Sequence, residues 1–256
     1  MKIAVDAFGG DNAPDEVIKG AVQAVKAYGV TVVLTGNEEI IHSRFRELGL
    51  SEENIEVVNA DGVIQIEDNP MDIRKAKADC SMGKAFQLVI NGEADAFVSA
   101  GSTAAIVVGG TMLTGRLKGV KRPSLTPIMP SPTGYYLLSD GGANVECRPE
   151  MLLQFGVMGS IYMNKVMGVE NPRVGLLNIG AEDEKGRDLE REANELLKKS
   201  GLNYVGNTEG REVPLGAVDV IVTDGFTGNI YLKTVEGMGK FMKRNFRELY
   251  LQWSMK

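Results

Sequence analysis

The sequence contains one histidine and two cysteines, and this scarcity limits the chemistry open to it. The histidine, His42, lies within EEIIHSRFREL, a segment whose spacing predicts a surface helix, so nothing supports a Ser-His-Asp triad. No serine lies in a GxSxG turn. Cys80 and Cys147 are far apart and form no metal-binding pattern, which indicates two ordinary thiols in a reducing compartment.

Long apolar runs and an excess of basic charge are also absent. No apolar run approaches the roughly 20 residues that a membrane-spanning helix needs, and the opening MKIAVDAFGG does not resemble a signal peptide. The formal net charge of −6 argues against a nucleic-acid partner. With 43% apolar and 24% charged residues, the composition is that of a globular protein, which we expect to be cytoplasmic.

Short β-branched runs alternate with longer amphipathic segments, which predicts parallel strands joined by helices. The runs VGLLNI and VDVIVT are nearly all apolar, as in strands buried on both faces. The predicted strands are Ile3–Asp6, Thr31–Thr35, Ile55–Asn59, Ala96–Ser99, Tyr136–Ser139, Arg173–Asn178, Tyr204–Gly206 and Asp219–Thr223. The clearest predicted helices are Pro14–Ala27, Glu38–Leu48, Ile73–Ile90, Pro149–Val166 and Arg187–Lys199.

The chain length of 256 residues fits one large domain or two smaller ones. We assign 1–256 to one α/β domain, with helices on both sides of a mainly parallel sheet. The segment Lys118–Gly134 has four prolines and no helical period, which predicts a long irregular connection.

Glycines follow many of the predicted strands, at Gly9-Gly10, Gly101, Gly141-Gly142, Gly180 and Gly225. Ligands of open parallel sheets bind beyond the carboxyl ends of the strands. Glycine there lets backbone N–H groups approach an anion, and the following helix adds its positive end. A single such glycine is explained by a tight turn alone, but five on one edge favour a cleft lined for phosphate.

Five longer motifs contain these glycines: VDAFGGDNAP (5–14), SAGSTAA (99–105), LSDGGANVECRPEMLLQFGVMG (138–159), VGLLNIGAEDEKG (174–186) and VDVIVTDGFTGNIYLKTVEG (218–237). In this order they resemble the acyl-acyl carrier protein–phosphate acyltransferases, the PlsX family of phospholipid synthesis, over essentially the whole chain. The resemblance implies an α/β/α sandwich similar to phosphotransacetylases and isocitrate dehydrogenase-like enzymes. It implies a homodimer at the membrane surface that moves a fatty acyl group from acyl carrier protein to inorganic phosphate, without a cofactor.

The sequence departs from the family pattern in two places. Phe8 stands where the opening motif of the family has methionine. Family members are also expected to continue well past Lys256 with a further glycine-rich segment.

The implied reaction needs little acid–base catalysis from the protein. Phosphate is already an anionic nucleophile and a thiolate leaves readily, so the site must bind phosphate, orient the thioester and stabilise an oxyanion. Lys185, Thr227 and Asn229 are the predicted catalytic residues. Two plainer explanations stay open: Lys185 as a solvated loop lysine beside acidic neighbours, and TDGFTGN as a turn whose aspartate caps the next helix.

The other predicted site residues lie in the same motifs. Asp6 and Asp11 flank a double glycine without further metal ligands nearby, so we expect no metal and expect Asp6 to accept backbone hydrogen bonds. Ser102 and Thr103 either line the cleft or cap a helix. The predicted phosphate- and substrate-binding residues are Asp6, Gly9, Gly10, Gly101, Ser102, Thr103, Asn144, Gly180, Glu182, Asp224, Gly225, Gly228 and Lys233.

Two surfaces suit the partners that the resemblance implies. The basic residues Arg116, Lys118, Lys121 and Arg122 form either a docking patch for the acidic acyl carrier protein or a solvated loop. At 236–256, a basic amphipathic segment predicts a helix for the membrane surface or for dimer packing. Its apolar residues are Met238, Phe241, Met242, Phe246, Leu249, Tyr250 and Trp253, and its basic residues include Lys240, Lys243, Arg244 and Arg247.

Three other functions compete with this one. A phosphotransacetylase-like enzyme would use coenzyme A thioesters in the same chemistry. A nicotinamide-dependent decarboxylating dehydrogenase would need a metal-binding acid cluster and a set of arginines that we do not find in the sequence. A non-catalytic scaffold for acyl carrier protein at the membrane would have no use for an anion cleft.

Overall fold

The chain folds into two compact units, Met1–Gly119 and Val120–Lys256, and each unit has its own sheet. The fold is that of a computed structural model, which describes residues 1–254, with side chains described up to residue 246. Two smaller units are one of the two arrangements that the length allows. The assignment of 1–256 to a single acyltransferase domain stays a prediction.

Unit 1 is built on a four-stranded parallel sheet in the order β3-β2-β1-β4. Its strands are β1 (Lys2–Asp6), β2 (Thr31–Gly36), β3 (Ile55–Asn59) and β4 (Ala96–Val98). Its helices are α1 (Asp15–Tyr28), α2 (Glu38–Leu48), α3 (Ser81–Ile90) and α4 (Thr103–Met112).

Helices cover both faces of this sheet because successive side chains of a strand point to opposite sides. On one face, Ile18 of α1 and Phe45 of α2 belong to the same buried cluster as Leu34 of β2. On the other face, Ala85 of α3 packs with Val33 of β2. The apolar run of β2 is therefore buried on both sides.

Unit 2 is built on a five-stranded sheet in the order β5-β6-β9-β7-β8, parallel except for the pair β5–β6. Its strands are β5 (Ile128–Ser131), β6 (Gly134–Ser139), β7 (Val174–Asn178), β8 (Tyr204–Glu209) and β9 (Val220–Val222). Its helices are α5 (Pro149–Lys165), α6 (Asp188–Lys198) and α7 (Gly225–Ser254).

Helices also lie on both faces of the second sheet. Phe155 of α5 and Leu197 of α6 share a buried cluster with Val220 of β9. Leu232 of α7 packs with Ile221, the next residue of β9, on the opposite face. Each unit thus has three layers, which confirms the predicted α/β fold with mainly parallel strands, although the chain forms two sheets rather than one. Within the described part of the chain, no helix combines the length and apolar character that crossing a membrane requires.

The predicted helix Ile73–Ile90 is wrong in its first half. A short 3-10 helix occupies Pro70–Arg74, and α3 begins only at Ser81. The intervening turn is held from outside, because Lys77 pairs with Asp68 and donates to the carbonyl oxygen of Val63 at 3.0 Å. A tertiary contact thus overrides a helical pattern that is continuous in the sequence.

The predicted irregular connection Lys118–Gly134 is also partly wrong, because its last part forms β5. Met129 pairs with Tyr136 and Ser131 with Gly134 in an antiparallel hairpin. The prolines hid this strand, but β5 lies at the edge of the sheet, where Pro130 removes no hydrogen bond to an inner neighbour.

Candidate active site

In unit 1, the loops that follow β1 and β4 are joined through Asp6. This carboxylate is buried and accepts hydrogen bonds from the backbone N–H of Phe8 at 3.2 Å and from the Ser99 hydroxyl at 2.7 Å. The backbone N–H of Gly101 donates to the same Ser99 hydroxyl oxygen at 3.0 Å. The predicted backbone hydrogen bond to Asp6 is confirmed, and the residue fixes both loops.

Two of the predicted glycines of unit 1 are explained by this junction. A Cβ at Gly9 would lie 2.6 Å from the Asp6 carboxylate and 2.8 Å from the nitrogen of Gly101, so no side chain fits there. Gly10 has a φ of +102°, which L-residues rarely adopt. These glycines let two loops meet, and a role in binding phosphate stays a prediction.

The two hydroxyl residues after Gly101 differ in their surroundings. Ser102 is buried and caps α4, because its hydroxyl accepts from the backbone N–H of Ala105 at 3.4 Å. Thr103 is exposed. Of the two roles predicted for this pair, the capping role applies to Ser102.

An apolar groove of about 760 Å³ runs along α1 and the adjoining face of β1 and β4 in unit 1. Val5, Val98, Gly20 and Ala24 line its length, and Asp6 lies at the carboxyl ends of the strands. We call it the unit 1 groove.

In unit 2, the loop after β6 is organised by Asp140, whose carboxylate is fully buried. One of its oxygens, Oδ1, accepts from the backbone N–H groups of Leu125, Gly142 and Ala143, each at 3.0 Å. The other oxygen, Oδ2, accepts from the backbone N–H of Asn144 at 2.7 Å and from its side-chain amide at 2.8 Å. Asp140 therefore fixes the loop that contains the predicted Asn144.

The first turn of α7 packs directly on this loop. The backbone N–H of Gly225 donates to the carbonyl oxygen of Asn144 at 2.7 Å, and a Cβ at Gly228 would collide with the carbonyl oxygen of Asp140. Gly225 and Gly228 are thus explained by close contact with protein backbone, and their predicted role in binding phosphate stays a prediction. The side-chain amide of Asn144 is likewise committed, donating to the carbonyl oxygen of Pro123 at 2.7 Å.

Asp224 caps α7, because its carboxylate accepts from the backbone N–H of Thr227 at 2.6 Å. The predicted capping role of this aspartate is confirmed. Its second oxygen pairs with the guanidinium of Arg187, which also pairs with Glu190 of α6. These two carboxylates, Glu190 first, raise the pKa of Arg187 above its ordinary value.

Lys185 lies in the loop after β7, in a conformation held by two amides. The side-chain amide of Asn178 donates to the carbonyl oxygen of Lys185 at 3.1 Å. The side-chain amide of Asn207 donates to the backbone carbonyl oxygen of Glu182 at 2.8 Å. The aliphatic stem of Lys185 and the Glu182 carboxylate lie against Gly180, where a Cβ would be 3.1 Å and 2.8 Å from them. A side chain on Gly180 would displace both.

The ammonium group of Lys185 is exposed and forms no hydrogen bond or ion pair with any side chain described in the structure. Its acidic neighbour Asp183 pairs with Lys198 instead, at 2.8 Å. Lys185 is therefore a solvated loop lysine beside acidic neighbours, as the plainer explanation has it, and its ammonium group, unpaired among the described residues, is also available to an anion.

Asn229 and Lys233 follow on α7 but differ in what they contact. The amide of Asn229 is exposed and donates to the carbonyl oxygen of Gly141 at 3.1 Å, which places it on the loop fixed by Asp140. Lys233 pairs with Glu236 at 2.9 Å and is 63% exposed. The structure thus brings Asn229, and not Lys233, to the loop.

A cavity of about 610 Å³, the α7 groove, lies beside these residues. One wall is a face of α7 and the other is formed by the end of β7 and the start of α6. Its lining residues are Leu177, Asn178, Ile179, Gly186, Arg187, Glu190, Thr227, Ile230, Tyr231 and Thr234.

Several residues with structural roles in unit 2 were not predicted, among them Asp140, Asn178, Arg187 and Asn207. The sequence does contain a signal for Asp140. This aspartate directly follows a predicted strand and precedes a double glycine, and Asp6 has a similar position at the end of its strand, shortly before Gly9-Gly10. Arg187 has no such signal, since its partner Asp224 is 37 residues away.

Unit 2 combines the groups that an acyl transfer to an anion requires. It offers the Lys185 ammonium, unpaired among the described residues, together with the Thr227 hydroxyl and the Asn229 amide. The catalytic roles of Lys185, Thr227 and Asn229 stay predictions, as does the single phosphate cleft.

Comparison with known proteins indicates the same kind of reaction as the residues of the site. The family model described as "Fatty acid synthesis protein" matches residues 1–252. A phosphate acyltransferase of Clostridium acetobutylicum is 46% identical over 239 residues, 93% of this chain and 72% of that protein. A phosphate acyltransferase of Alkaliphilus oremlandii is 45% identical over 252 residues, 98% of this chain and 75% of that protein.

Solved structures resemble the fold. A phosphotransacetylase from Streptococcus pyogenes has a TM-score of 0.72 at 19% identity, covering 94% of this chain and 82% of that one. A phosphotransacetylase from Staphylococcus aureus has a TM-score of 0.69 at 21% identity, with the same two coverages of 94% and 82%. At these identities the likeness shows the shared fold.

Proposed function

The chain belongs to the fatty acid synthesis protein family, and we propose that it transfers a fatty acyl group from acyl carrier protein to inorganic phosphate. It is an enzyme, a phosphate acyltransferase, like relatives that are 45% to 46% identical over most of its length. The identity of the acyl donor and the roles of individual residues are the proposed parts.

In the proposed reaction, a phosphate oxygen attacks the thioester carbonyl carbon and forms a C–O bond. A tetrahedral oxyanion results, and its collapse breaks the C–S bond. The thiolate leaves on the carrier and takes up a proton, and acyl phosphate is released. The enzyme contributes binding, orientation and stabilisation of the oxyanion rather than a nucleophile of its own.

The observation that carries the assignment of roles is the exposed ammonium of Lys185, which has no partner among the described side chains. We assign it to phosphate or to the developing oxyanion. The Thr227 hydroxyl and the Asn229 amide, on the first turns of α7, are assigned as further donors.

Acyl carrier protein as donor is supported by four exposed cations, Arg116, Lys118, Lys121 and Arg122. A basic segment of this kind attracts an acidic partner and speeds its association. Coenzyme A thioesters are the competing donors. The ratio of kcat/KM for acyl carrier protein and coenzyme A donors with the same acyl group separates the two, and neutralising this segment should lower only the first.

We also infer a cytoplasmic protein that associates with the membrane surface, as a homodimer. The carboxyl-terminal part of α7 supports this, because Met238, Phe241, Met242 and Phe246 are each 48% to 64% exposed beside basic residues. Such a helix suits a bilayer surface or a second copy of the chain. The predicted residues Leu249, Tyr250, Trp253 and Arg247 have side chains that are not among those described, and residues 255–256 lie outside the described part of the chain.

The test of the assigned roles is phosphate-dependent release of carrier thiol, with acyl phosphate trapped by hydroxylamine. Lys185→Ala and Asn229→Ala should each lower kcat/KM by about 100-fold or more, the usual effect of losing one oxyanion donor. Lys199→Ala is the matched control, because Lys199 is exposed and pairs with Glu195 at 3.6 Å. Equal activity in Lys185→Ala and Lys199→Ala would refute the role of Lys185.

A further inference from the structure

Two isoleucines that line the α7 groove are highly exposed to solvent. Ile179, at the end of β7, is 82% exposed, and Ile230 of α7 is 55% exposed. Both line the groove with Leu177 and Tyr231. Apolar surface gathered in a concave site, rather than scattered singly, is typical of a ligand site.

The α7 wall of the groove has a direction. Thr227, Ile230, Tyr231 and Thr234 recur at helical spacing and form one face over two turns, about 10 Å in length. Thr227, a predicted catalytic residue, lies at one end and Thr234 at the other. Gly186, next to Lys185, lines the opposite wall.

Most polar groups that line the groove already have partners within the protein. The Tyr231 hydroxyl bonds to that of Tyr136 at 3.0 Å, and the Thr234 hydroxyl donates to the carbonyl oxygen of Ile230 at 2.8 Å. Asn178 is bonded through both its oxygen and its amide nitrogen.

Arg187 and Glu190 pair with each other, and Arg187 pairs with Asp224. Among the described lining residues, the Thr227 hydroxyl has no hydrogen-bond partner. The groove therefore offers apolar surface along its length and a hydroxyl at its catalytic end.

We propose that the α7 groove binds the acyl chain of the donor, with the thioester at Thr227 and the chain directed toward Thr234. This inference rests on the proposed acyl transfer to phosphate and adds where the chain lies. Ile179, Ile230 and Thr234 are then the residues that set the preference for chain length. Each methylene buried in the groove strengthens binding by about fourfold, from the transfer free energy of a CH₂ group.

The test compares octanoyl and hexadecanoyl donors in the phosphate-dependent thiol-release assay. Thr234→Trp fills the far end of the groove, so kcat/KM for the hexadecanoyl donor should fall about tenfold or more, as expected for two methylenes left unburied. The octanoyl donor, which stops short of Thr234, should change less than twofold, and this also shows that the variant is folded. Ile161→Trp, at a 57% exposed position of α5 outside the groove, is the control and should leave both donors unchanged.

A second arm places an obstruction in the unit 1 groove with Ala24→Phe. A loss of long-chain preference in Ala24→Phe, with none in Thr234→Trp, would overturn the proposal and place the chain along α1. An unchanged ratio in both variants, with phosphate-dependent activity intact, would overturn the proposal and leave the proposed function standing.

A binding readout separates the proposal from the activity itself. A hexadecanoyl donor with a diazirine at the end of its chain is photolysed on the unsubstituted protein, and labelled peptides are mapped by mass spectrometry. Labels on α7 or on 177–190 support the groove, and labels confined to α1 or elsewhere overturn it. If labelling falls on α7 but thiol release does not depend on phosphate, the site stands and the proposed reaction fails.

Discussion

The guanidinium of Arg187 is paired with the carboxylate of Asp224, the residue that caps α7, across 37 residues of sequence. Asp224 is 3% exposed, whereas the Arg187 side chain is 59% exposed. The pair connects the loop before α6 to the first turn of α7, where Thr227 and Asn229 lie. A partly exposed arginine thus holds a buried cap in place.

Arg187→Gln should lower the free energy of unfolding by about 1–2 kcal/mol. The loss leaves the buried Asp224 without its cation, but water reaches the guanidinium and screens the pair, so the cost stays below that of a fully buried pair. Urea denaturation at pH 7 measures it. Arg211→Gln, in the exposed pair with Glu209, is the control and should cost about 0.5 kcal/mol or less. A loss in Arg187→Gln no larger than in the control would show that the pair does not stabilise the cap.

Gly228→Ala should be among the most damaging single substitutions in unit 2, because the added Cβ collides with the backbone oxygen of Asp140. We expect a loss of about 3 kcal/mol or more, as overpacking against rigid backbone gives at its upper end. Gly237→Ala is the matched change in the same helix, where a Cβ would meet no atom within 4 Å. It should stabilise the protein by up to about 1 kcal/mol. Thermal unfolding of the two variants checks the sign of the difference.

Asp140→Asn tests the loop that Asp140 organises. The carboxylate accepts hydrogen bonds from four backbone N–H groups and one amide, and an asparagine would turn an NH₂ group toward some of these donors. We expect a loss of about 2–3 kcal/mol in the free energy of unfolding, the penalty of a buried donor left unpaired. Asp188→Asn, at an 84% exposed carboxylate, should cost about 0.5 kcal/mol or less. Equal losses in the two variants would contradict the role of Asp140.

The thiol of Cys147 should react slowly at neutral pH. Burial raises its pKa to about 11, from the ordinary thiol value of about 9, so the thiolate fraction between pH 7 and pH 8 is about 100-fold below that of an unfolded chain. Alkylation by iodoacetamide, resolved by peptide mass spectrometry with and without urea, measures the ratio. Rates that are equal in the two conditions would refute it.

The same shift fixes the sign of the pH effect of Cys147 on stability. Below pH 9 the thiol is protonated in both the folded and the unfolded chain, so Cys147 has no pH-dependent effect there. Between pH 9 and about pH 11 only the unfolded chain releases the proton. The free energy of unfolding therefore falls with rising pH in that window.

Local sequence pattern predicts most of the fold. The run of Ile55–Asn59 and the pattern of Glu38–Leu48 give β3 and α2 with the bounds observed. The failures have tertiary causes: Lys77 reaches Asp68 and interrupts a helical pattern, and β5 tolerates Pro130 because it is an edge strand.

The site is predicted less completely than the fold. Glycine-rich motifs correctly mark the loops at the strand ends, and the capping role of Asp224 follows from its position alone. The sequence does not reveal which atoms come into contact. It does not show that Asp140 accepts hydrogen bonds from five donors, or that Arg187 pairs with Asp224. The glycines at 225 and 228 are required by contacts with residues some 80 positions earlier, which no local pattern reveals.

The central claim is that phosphate itself attacks the thioester, and oxygen labelling tests it most directly. The enzyme is incubated with a fatty acyl donor on acyl carrier protein and with phosphate labelled by ¹⁸O at all four oxygens, and the product is analysed by mass spectrometry. Attack by phosphate predicts acyl phosphate that retains every labelled oxygen, in amounts equal to the thiol released. Unlabelled free fatty acid as the direct product, released at a rate independent of phosphate, would identify water as the nucleophile and contradict the account.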